Sequence, residues 1–372
     1  MPVIINGTTG ITTPTYNGNT TAEYLVPVTG FKNRIINGAM TIDQRNAGAS
    51  VSAVDSYPVD RWQYEASQAS KFTLQQNQGS VTPPAGFTNY VGATSSSSYS
   101  VSATDFFFIG QRIEGFNVAD LNWGTANAKT VTLSFWVRSS LTGTFGGSLV
   151  NSAGNRSYPY SYTISAANTW EQKSVTIAGD TSGTWVANNG LGIRLNFNLG
   201  TGSTYSGTAG AWAGTYYSAP TGATSVVGTN GATFYITGVQ LEVGSTATSF
   251  DYRPYGTELA LCQRYCPVWT FPSSSLVSLS FTYSTTTSGP AYLANPVPVR
   301  TPATGVTISS ASNFSVSNGD FGTTCNSISF QGASTNITVL TWNTASARTA
   351  FQPLNLFTNT TNAFIIGNGC EL

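Results

Sequence analysis

The residue type on which most enzyme hypotheses depend is absent, because this chain of 372 residues contains no histidine. It therefore has no Ser-His or Cys-His pair, no HExxH zinc site and no imidazole base near neutral pH. A glycosidase needs only two carboxylates, so that alternative stays open. Candidate carboxylates are Asp55 with Asp60, or a set among Asp105, Glu114 and Asp120. Carboxylates spaced this way in β-rich loops more often form turns and ion pairs, so we expect no catalytic residues.

Aromatic side chains are better candidates for chemistry, as contacts for a sugar. A flat ring stacks on the apolar C–H face of a sugar, while amide, carboxylate and guanidinium groups bond its hydroxyls. Two stretches that we interpret as loops, 156–162 and 204–217, combine such residues, and Trp136 on an outward strand face is a further candidate. The alternative is that these rings close the end of a sandwich or contact another subunit. The loop candidates are Tyr158, Tyr160, Tyr205, Trp212, Tyr216 and Tyr217.

Charge is scarce, since 15 basic and 15 acidic residues make up 8% of the chain and cancel to a net charge of zero. An average globular protein has roughly 25% charged residues. The sequence shows no basic patch for nucleic acid and no apolar run that could insert into a membrane. Such a surface suits neutral sugars or identical neighbouring subunits.

The four cysteines, Cys262, Cys266, Cys325 and Cys370, do not have the spacing of a disulfide framework. Paired CxxC zinc ligands are also missing. We expect buried, reduced thiols, with no metal and no cofactor.

The elements that position these residues follow a period of two. In residues 130–139, Val131, Leu133, Phe135 and Val137 alternate with polar residues, and 192–199 repeats this pattern, with shorter examples at 71–74, 99–101 and 175–177. Strands with one dry face predict stacked antiparallel sheets. In residues 233–243 the apolar phase changes at Gly238, which predicts a β-bulge.

The remaining segments divide the chain. Residues 1–30 have too little apolar surface for a core and predict an extended arm, with Ile4, Ile5, Ile11, Tyr16 and Tyr24 as attachment candidates. After 31–252, Arg253-Pro254 predicts an extended link and Thr257 the N-cap of a two-turn helix within 253–267. Residues 268–372 return to strands, with candidates at 275–283 and 336–342, a hairpin turn at 317–319, and prolines at 296, 298 and 302 outside any central strand.

Three segments resemble the appendage proteins of tailed bacteriophages: 240–265 (QLEVGSTATSFDYRPYGTELALCQRY), 31–46 (FKNRIINGAMTIDQRN) and Asp60-Arg61-Trp62. Residues 133–138, 169–176 and 234–241 look like successive strands of carbohydrate-binding-module jelly rolls. The resemblance implies an all-β fibre protein of the virion, with an attachment arm, a jelly roll at 31–252, a short helical neck and a β-sandwich tip at 268–372.

The resemblance also implies partners. The arm would bind other virion proteins, the chain would form a homotrimer, and the fibre would bind host-surface glycans with no enzymatic activity. The alternatives are a head fibre or capsid decoration protein held by the same arm, and a polysaccharide depolymerase. With no export signal at its start, the chain would be assembled into virions in the host cytoplasm.

Overall fold

The structure is a computed structural model that describes residues 4–6, 10–12, 31–272, 276–280, 287–317, 322–347, 354–360 and 363–372. For residues 4–6, 10–12, 278–280 and 354 it describes the backbone alone. Strands are numbered along the chain. The first unit, Met1–Lys32, contains the antiparallel pair β1 (Ile4–Asn6) and β2 (Gly10–Thr12), in which Ile5 lies opposite Ile11. Attachment candidates Tyr16 and Tyr24 lie outside the described residues.

The second unit, Asn33–Leu372, begins with a sandwich of two five-stranded antiparallel sheets. Sheet 1 has the order β10 (Glu171–Ile177), β7 (Val131–Ser139), β14 (Thr233–Val243), β5 (Val91–Ser95), β4 (Phe72–Gln76). Sheet 2 has the order β3 (Trp62–Ala66), β6 (Phe106–Glu114), β11 (Leu191–Thr201), β8 (Gly143–Asn151), β9 (Ser157–Ile164). A parallel pair, β12 (Ser206–Gly207) and β13 (Ala219–Pro220), lies beside them.

Alternating apolar residues place the core between these two sheets. Val131, Leu133, Phe135 and Val137 on β7 are all buried, as the period of two predicts. Phe135 packs edge-on against Phe197 of the opposite sheet, with ring centroids 5.0 Å apart. The expected all-β sandwich of jelly-roll type is confirmed.

The predicted bulge in β14 is also confirmed. The register against β7 shifts between Thr237 and Gln240, and Gly238 has a φ of 61°, in the left-handed region that favours glycine. The bulge allows the apolar phase of β14 to change while both halves stay paired.

The one-helix link agrees with the prediction except at its start. Helix α1 spans Tyr255–Gln263 with Pro254 as its N-cap residue, so Thr257 lies inside the first turn and is not the cap. Proline is well suited to this end of a helix because the first amides lack intrahelical partners anyway. Short 3₁₀ turns lie at Gln78–Ser80, Gly115–Asn117, Ala119–Leu121, Ser203–Tyr205 and Ala311–Asn313.

A second sandwich follows the helix. Its smaller sheet has the order β15 (Val268–Phe271), β23 (Ala363–Asn368), β18 (Gly305–Ile308). Its larger sheet has the order β16 (Leu276–Ser280), β22 (Leu354–Thr358), β19 (Phe314–Ser317), β20 (Thr323–Ala333), β21 (Ile337–Thr344), β17 (Ser288–Ala294). Pro296, Pro298 and Pro302 fall between β17 and β18, as expected. The hairpin turn predicted at 317–319 lies largely outside the described residues.

Two local predictions are wrong. Residues 99–101 form no strand, because Tyr99 and Val101 instead pack half-buried against the core from an irregular segment. Stretch 156–162 is not a loop but most of strand β9, whose tyrosines alternate onto the buried face. Across the described ranges, no helix has the length and apolar character that crossing a membrane requires.

Candidate functional site

The first predicted pair of sugar contacts lies in the core. Tyr158 and Tyr160 are 7% and 0% exposed, and the Tyr160 hydroxyl donates to the backbone oxygen of Asn196 at 2.7 Å. Burial raises the pKa of the Tyr160 hydroxyl, so it stays a neutral donor. A sugar cannot reach the Tyr160 ring without opening the sandwich, so sugar binding by Tyr158 and Tyr160 stays a prediction.

Three further candidates lie together on the loop that follows β11. Tyr205 packs edge-on against Tyr216 with ring centroids 5.6 Å apart, and against Phe106 of sheet 2 at 5.7 Å. Tyr217 covers Gly207 so closely that a Cβ there would lie 2.3 Å from the ring. All three candidate rings are half-buried, and Tyr205 holds the loop to Phe106 of sheet 2.

Trp212 belongs to a cluster of tryptophans that the sequence analysis missed. Its ring centroid lies 5.3 Å from that of Trp123 and 5.4 Å from that of Trp185, and Trp123 and Trp185 are 4.8 Å apart. Tyr158 touches the same cluster from the core side, 5.2 Å from Trp212. These residues come from four distant segments, so no local pattern indicates that they meet.

The candidate carboxylates all have partners within the protein. Asp105 accepts hydrogen bonds from the hydroxyls of Tyr99 and Ser67, and Asp120 pairs with Arg34 at 2.7 Å. Asp55 accepts a bond from Gln63 at 3.0 Å.

Asp60 and Glu114 are buried. Burial raises the pKa of Asp60 to about 6. Although burial opposes it, hydrogen bonds from Arg264 and Tyr265 lower the pKa of Glu114. These contacts favour structural roles for the five carboxylates.

The segments that carry the phage resemblance converge in space around Asn37. Its side-chain amide donates to the backbone oxygens of Ile42 and Asp60, at 2.8 and 2.9 Å, and its backbone carbonyl oxygen accepts the Trp62 indole N–H at 3.0 Å. Its backbone N–H donates to Glu258 of helix α1. Residues from 31–46, 60–62 and 240–265 therefore build one structure, the joint between the first sandwich and the helix.

An open cleft of about 260 Å³ lies at this joint, and we call it the hinge cleft. Its aromatic side is formed by Phe87, Phe250, Tyr252 and Tyr255. The first three touch one another, with centroids 4.8 to 5.6 Å apart. Tyr252 and Tyr255 are 58% and 64% exposed, so their rings are accessible to a ligand.

The other side of the hinge cleft is polar and fixed. Asp251 accepts the backbone N–H of Asn33 at 3.1 Å, and Arg253 donates to Glu258 at 3.2 and 3.3 Å and to the Ile35 carbonyl at 3.1 Å. The Arg253 and Glu258 side chains are 3% and 13% exposed. Polar atoms held by their neighbours beside open rings form a preorganised surface.

Trp136, a predicted contact, lies next to the hinge cleft. A Cβ at Gly238 would come within 2.6 Å of Phe87 Cζ and 3.1 Å of Trp136 Cδ1, so both rings pack over the bulge. The Tyr252 hydroxyl donates to the Gly86 carbonyl at 2.8 Å, which fixes the ring. Partial burial of that hydroxyl raises the pKa of Tyr252. Tyr252 and Tyr255 could have been identified in advance, since they flank the Arg-Pro link.

No family model and no curated protein matches the chain. Among solved structures, the enzymatically active domain of tailspike protein 4 of bacteriophage CBA120 matches with 12% identity and a TM-score of 0.31, over 57% of this chain and 21% of that one. The chain thus spans about a fifth of that tailspike structure.

Two carbohydrate-related structures match similarly. A candidate sugar-binding protein of Bacteroides thetaiotaomicron shows 15% identity and a TM-score of 0.33, over 57% of this chain and 100% of that one. The family 11 carbohydrate-binding module of a cellulosomal cellulase from Clostridium thermocellum shows 10% identity and a TM-score of 0.27, over 54% and 99%. These are distant matches in β architecture, and the functional argument rests on the hinge cleft itself.

Proposed function

We propose that this protein is a non-enzymatic structural protein of a tailed-phage virion, a homotrimeric fibre that adheres to host-surface glycans. The observation that carries the adhesion is the hinge cleft, where the exposed rings of Tyr252 and Tyr255 lie beside fixed polar groups. A pyranose presents an apolar face to such rings and hydroxyls to such groups.

The chemistry of the hinge cleft supports binding more than reaction. Glu258 accepts hydrogen bonds from the Arg253 guanidinium and from the backbone N–H of Asn37, so its carboxylate oxygens hold the joint together. The sequence contains no histidine that could act as a base near neutral pH. Weak sites of this kind become effective when several are carried on one particle, as a trimeric fibre would provide.

The virion role rests on the resemblance of 31–46, 60–62 and 240–265 to phage appendage proteins. All three segments build the joint, and 31–46 and 240–265 also line the hinge cleft. The scarcity of charge also suits a subunit that buries its flanks against identical copies.

Glycan-array binding of the purified protein tests the adhesion. Tyr252→Ala and Tyr255→Ala should each lower affinity about tenfold, because each removes a stacking face. Phe116→Ala is the matched control, since Phe116 is an aromatic residue 60% exposed and outside the hinge cleft. Unchanged binding in both tyrosine variants, or equal loss in the control, would refute the assignment.

The virion role needs separate measurements. Sedimentation should give a mass of three chains of 39.1 kDa each, and antibodies against the protein should label the tails of the virion. Label on the capsid would favour the head-fibre alternative, and a monomer at assay concentration would exclude the trimer. Release of reducing ends from a bound polysaccharide would show that the protein is an enzyme.

A further inference from the structure

The tryptophan cluster of the first sandwich borders a small apolar slot that the hinge cleft does not include. Trp123 and Trp185 form its walls, and Val118, Leu121 and Ile193 form its base, with Asn122 at the rim. Its volume is about 40 Å³. A water molecule occupies about 30 Å³ in the liquid, so the slot has room for a methyl-sized group but not for a sugar ring.

The walls of the slot are held rigidly. The Trp123 indole N–H donates to the Lys129 carbonyl at 2.8 Å, and that of Trp185 donates to the Ser182 carbonyl at 3.2 Å. The two rings meet at 78° with centroids 4.8 Å apart, a favourable edge-to-face arrangement. These hydrogen bonds to backbone carbonyls fix both rings. The Trp185 side chain is half-buried, so part of its ring is accessible to solvent.

Trp212 extends this aromatic surface next to the slot. Its N–H donates to the Ala178 carbonyl at 2.8 Å, and its ring stands at 79° to that of Trp185. A sugar lying on Trp185 or Trp212 could therefore place one substituent in the slot, against the Trp123 and Trp185 rings and above Leu121. The slot itself has only Asn122 as a polar side chain among its lining residues, so water there finds few hydrogen-bond partners and is readily displaced by an apolar group.

We propose that this tryptophan slot is a second carbohydrate subsite, selective for sugars that carry a methyl group, such as N-acetylated or 6-deoxy sugars. The sugar ring stacks on the exposed indole surface and its methyl group enters the slot. The inference rests on the glycan binding proposed above but concerns residues that take no part in the hinge cleft.

The test compares sugars that differ in the methyl-bearing group. Titrations of the full chain, followed by tryptophan fluorescence and by NMR of the ligand, would use N-acetylglucosamine against glucose and L-fucose against L-galactose. One apolar group in a fitted pocket discriminates about tenfold, so the methyl-bearing sugar of each pair should bind about ten times more tightly.

Two variants and one control locate the discrimination. Ala119→Leu fills the slot from its exposed rim and keeps every ring, while Trp185→Ala removes one wall. Each should abolish the preference, whereas Tyr252→Ala in the hinge cleft should leave it unchanged. Equal binding within both sugar pairs, or a preference that survives Ala119→Leu, would overturn the proposal. Loss of array binding in Tyr252→Ala would in that case still support the hinge cleft, so the two proposals fail separately.

Discussion

Replacing Gly238 by alanine tests the link between the bulge in β14 and the hinge cleft. Gly238 has a φ of 61°, and a Cβ there would lie 2.6 Å from Phe87 Cζ and 3.1 Å from Trp136 Cδ1. Two non-bonded carbon atoms do not approach to 2.6 Å, so the Phe87 ring has to move. The change thus combines a backbone cost with a steric one.

The two costs can be separated by a matched control. Gly231 has a φ of 72°, but a Cβ there would meet nothing within 4 Å. Left-handed backbone costs an alanine about 1 kcal/mol, and overpacking adds roughly 1–3 kcal/mol. Both variants lose the same flexibility of the unfolded chain. We therefore expect Gly231→Ala to lower the free energy of unfolding by about 1 kcal/mol and Gly238→Ala by about 3 kcal/mol.

Urea unfolding followed by tryptophan fluorescence measures the difference, and the glycan array measures its consequence. Because Phe87 lines the hinge cleft, Gly238→Ala should also weaken glycan binding, whereas Gly231→Ala should not. Equal destabilisation by the two substitutions would show that Phe87 and Trp136 do not pack over the bulge as described. Full glycan binding by Gly238→Ala would separate the bulge from the hinge cleft.

Three further predictions concern titration, the joint and the thiols. Burial raises the pKa of Asp60 to about 6 from the 3.8 of an exposed group, so its protonated form favours the folded state. The stabilisation is complete below about pH 4 and is lost as the pH rises through 6. Relative to Asp60→Asn, the wild type should gain about 2 kcal/mol of unfolding free energy between pH 7 and pH 4 in urea titrations, and equal pH slopes would contradict this. Glu371 forms ion pairs with buried Arg61 and, at 2.8 Å, with Arg45, and Glu371→Gln weakens both. This substitution should lower the unfolding free energy by about 2–3 kcal/mol in the same assay. Ser96→Ala, at an exposed position, is the control and should leave the unfolding free energy unchanged. The four thiols are buried, and burial raises their pKa values; they are Cys262, Cys266, Cys325 and Cys370. An aromatic disulfide reagent at pH 8 should therefore label them only after the protein unfolds. Rapid labelling of the native protein would exclude this packing.

Much of the strand content could be predicted because burial in a sandwich imposes a period of two on the sequence. The same signal was present in 156–162, where Tyr158, Tyr160 and Tyr162 alternate, but their suitability for sugar contact favoured the interpretation as a loop. All three rings are buried. A period of two is thus better evidence of a buried strand face than aromatic composition is of a binding loop.

The candidate site could not be predicted as a whole, since its parts are distant in sequence. Phe87 precedes strand β5, whereas Phe250, Tyr252 and Tyr255 follow strand β14. They meet because β5 pairs with β14 in sheet 1 and the bulge at Gly238 makes room for Phe87. Strand pairing of this kind depends on which sheets close on each other, which a single sequence does not state. The tryptophan slot has the same origin, since its walls come from the turns after β6 and β10.

The distribution of charge explains why the joint is distinctive in a chain with so few charged residues. Glu114 accepts hydrogen bonds from two of the three guanidinium nitrogens of Arg264, at 2.6 and 2.9 Å, and from the hydroxyl of Tyr265 at 2.6 Å. Arg61 stacks on the Tyr265 ring at 3.6 Å and pairs with Glu371 from beyond the second sandwich. A buried ion that loses its partner is costly, so each pair is satisfied only when the two sandwiches and the helix are correctly placed. The joint is therefore a defined connection, in which Arg61, Arg264 and Tyr265 of the resembling segments bond to Glu114 and Glu371 from elsewhere in the chain.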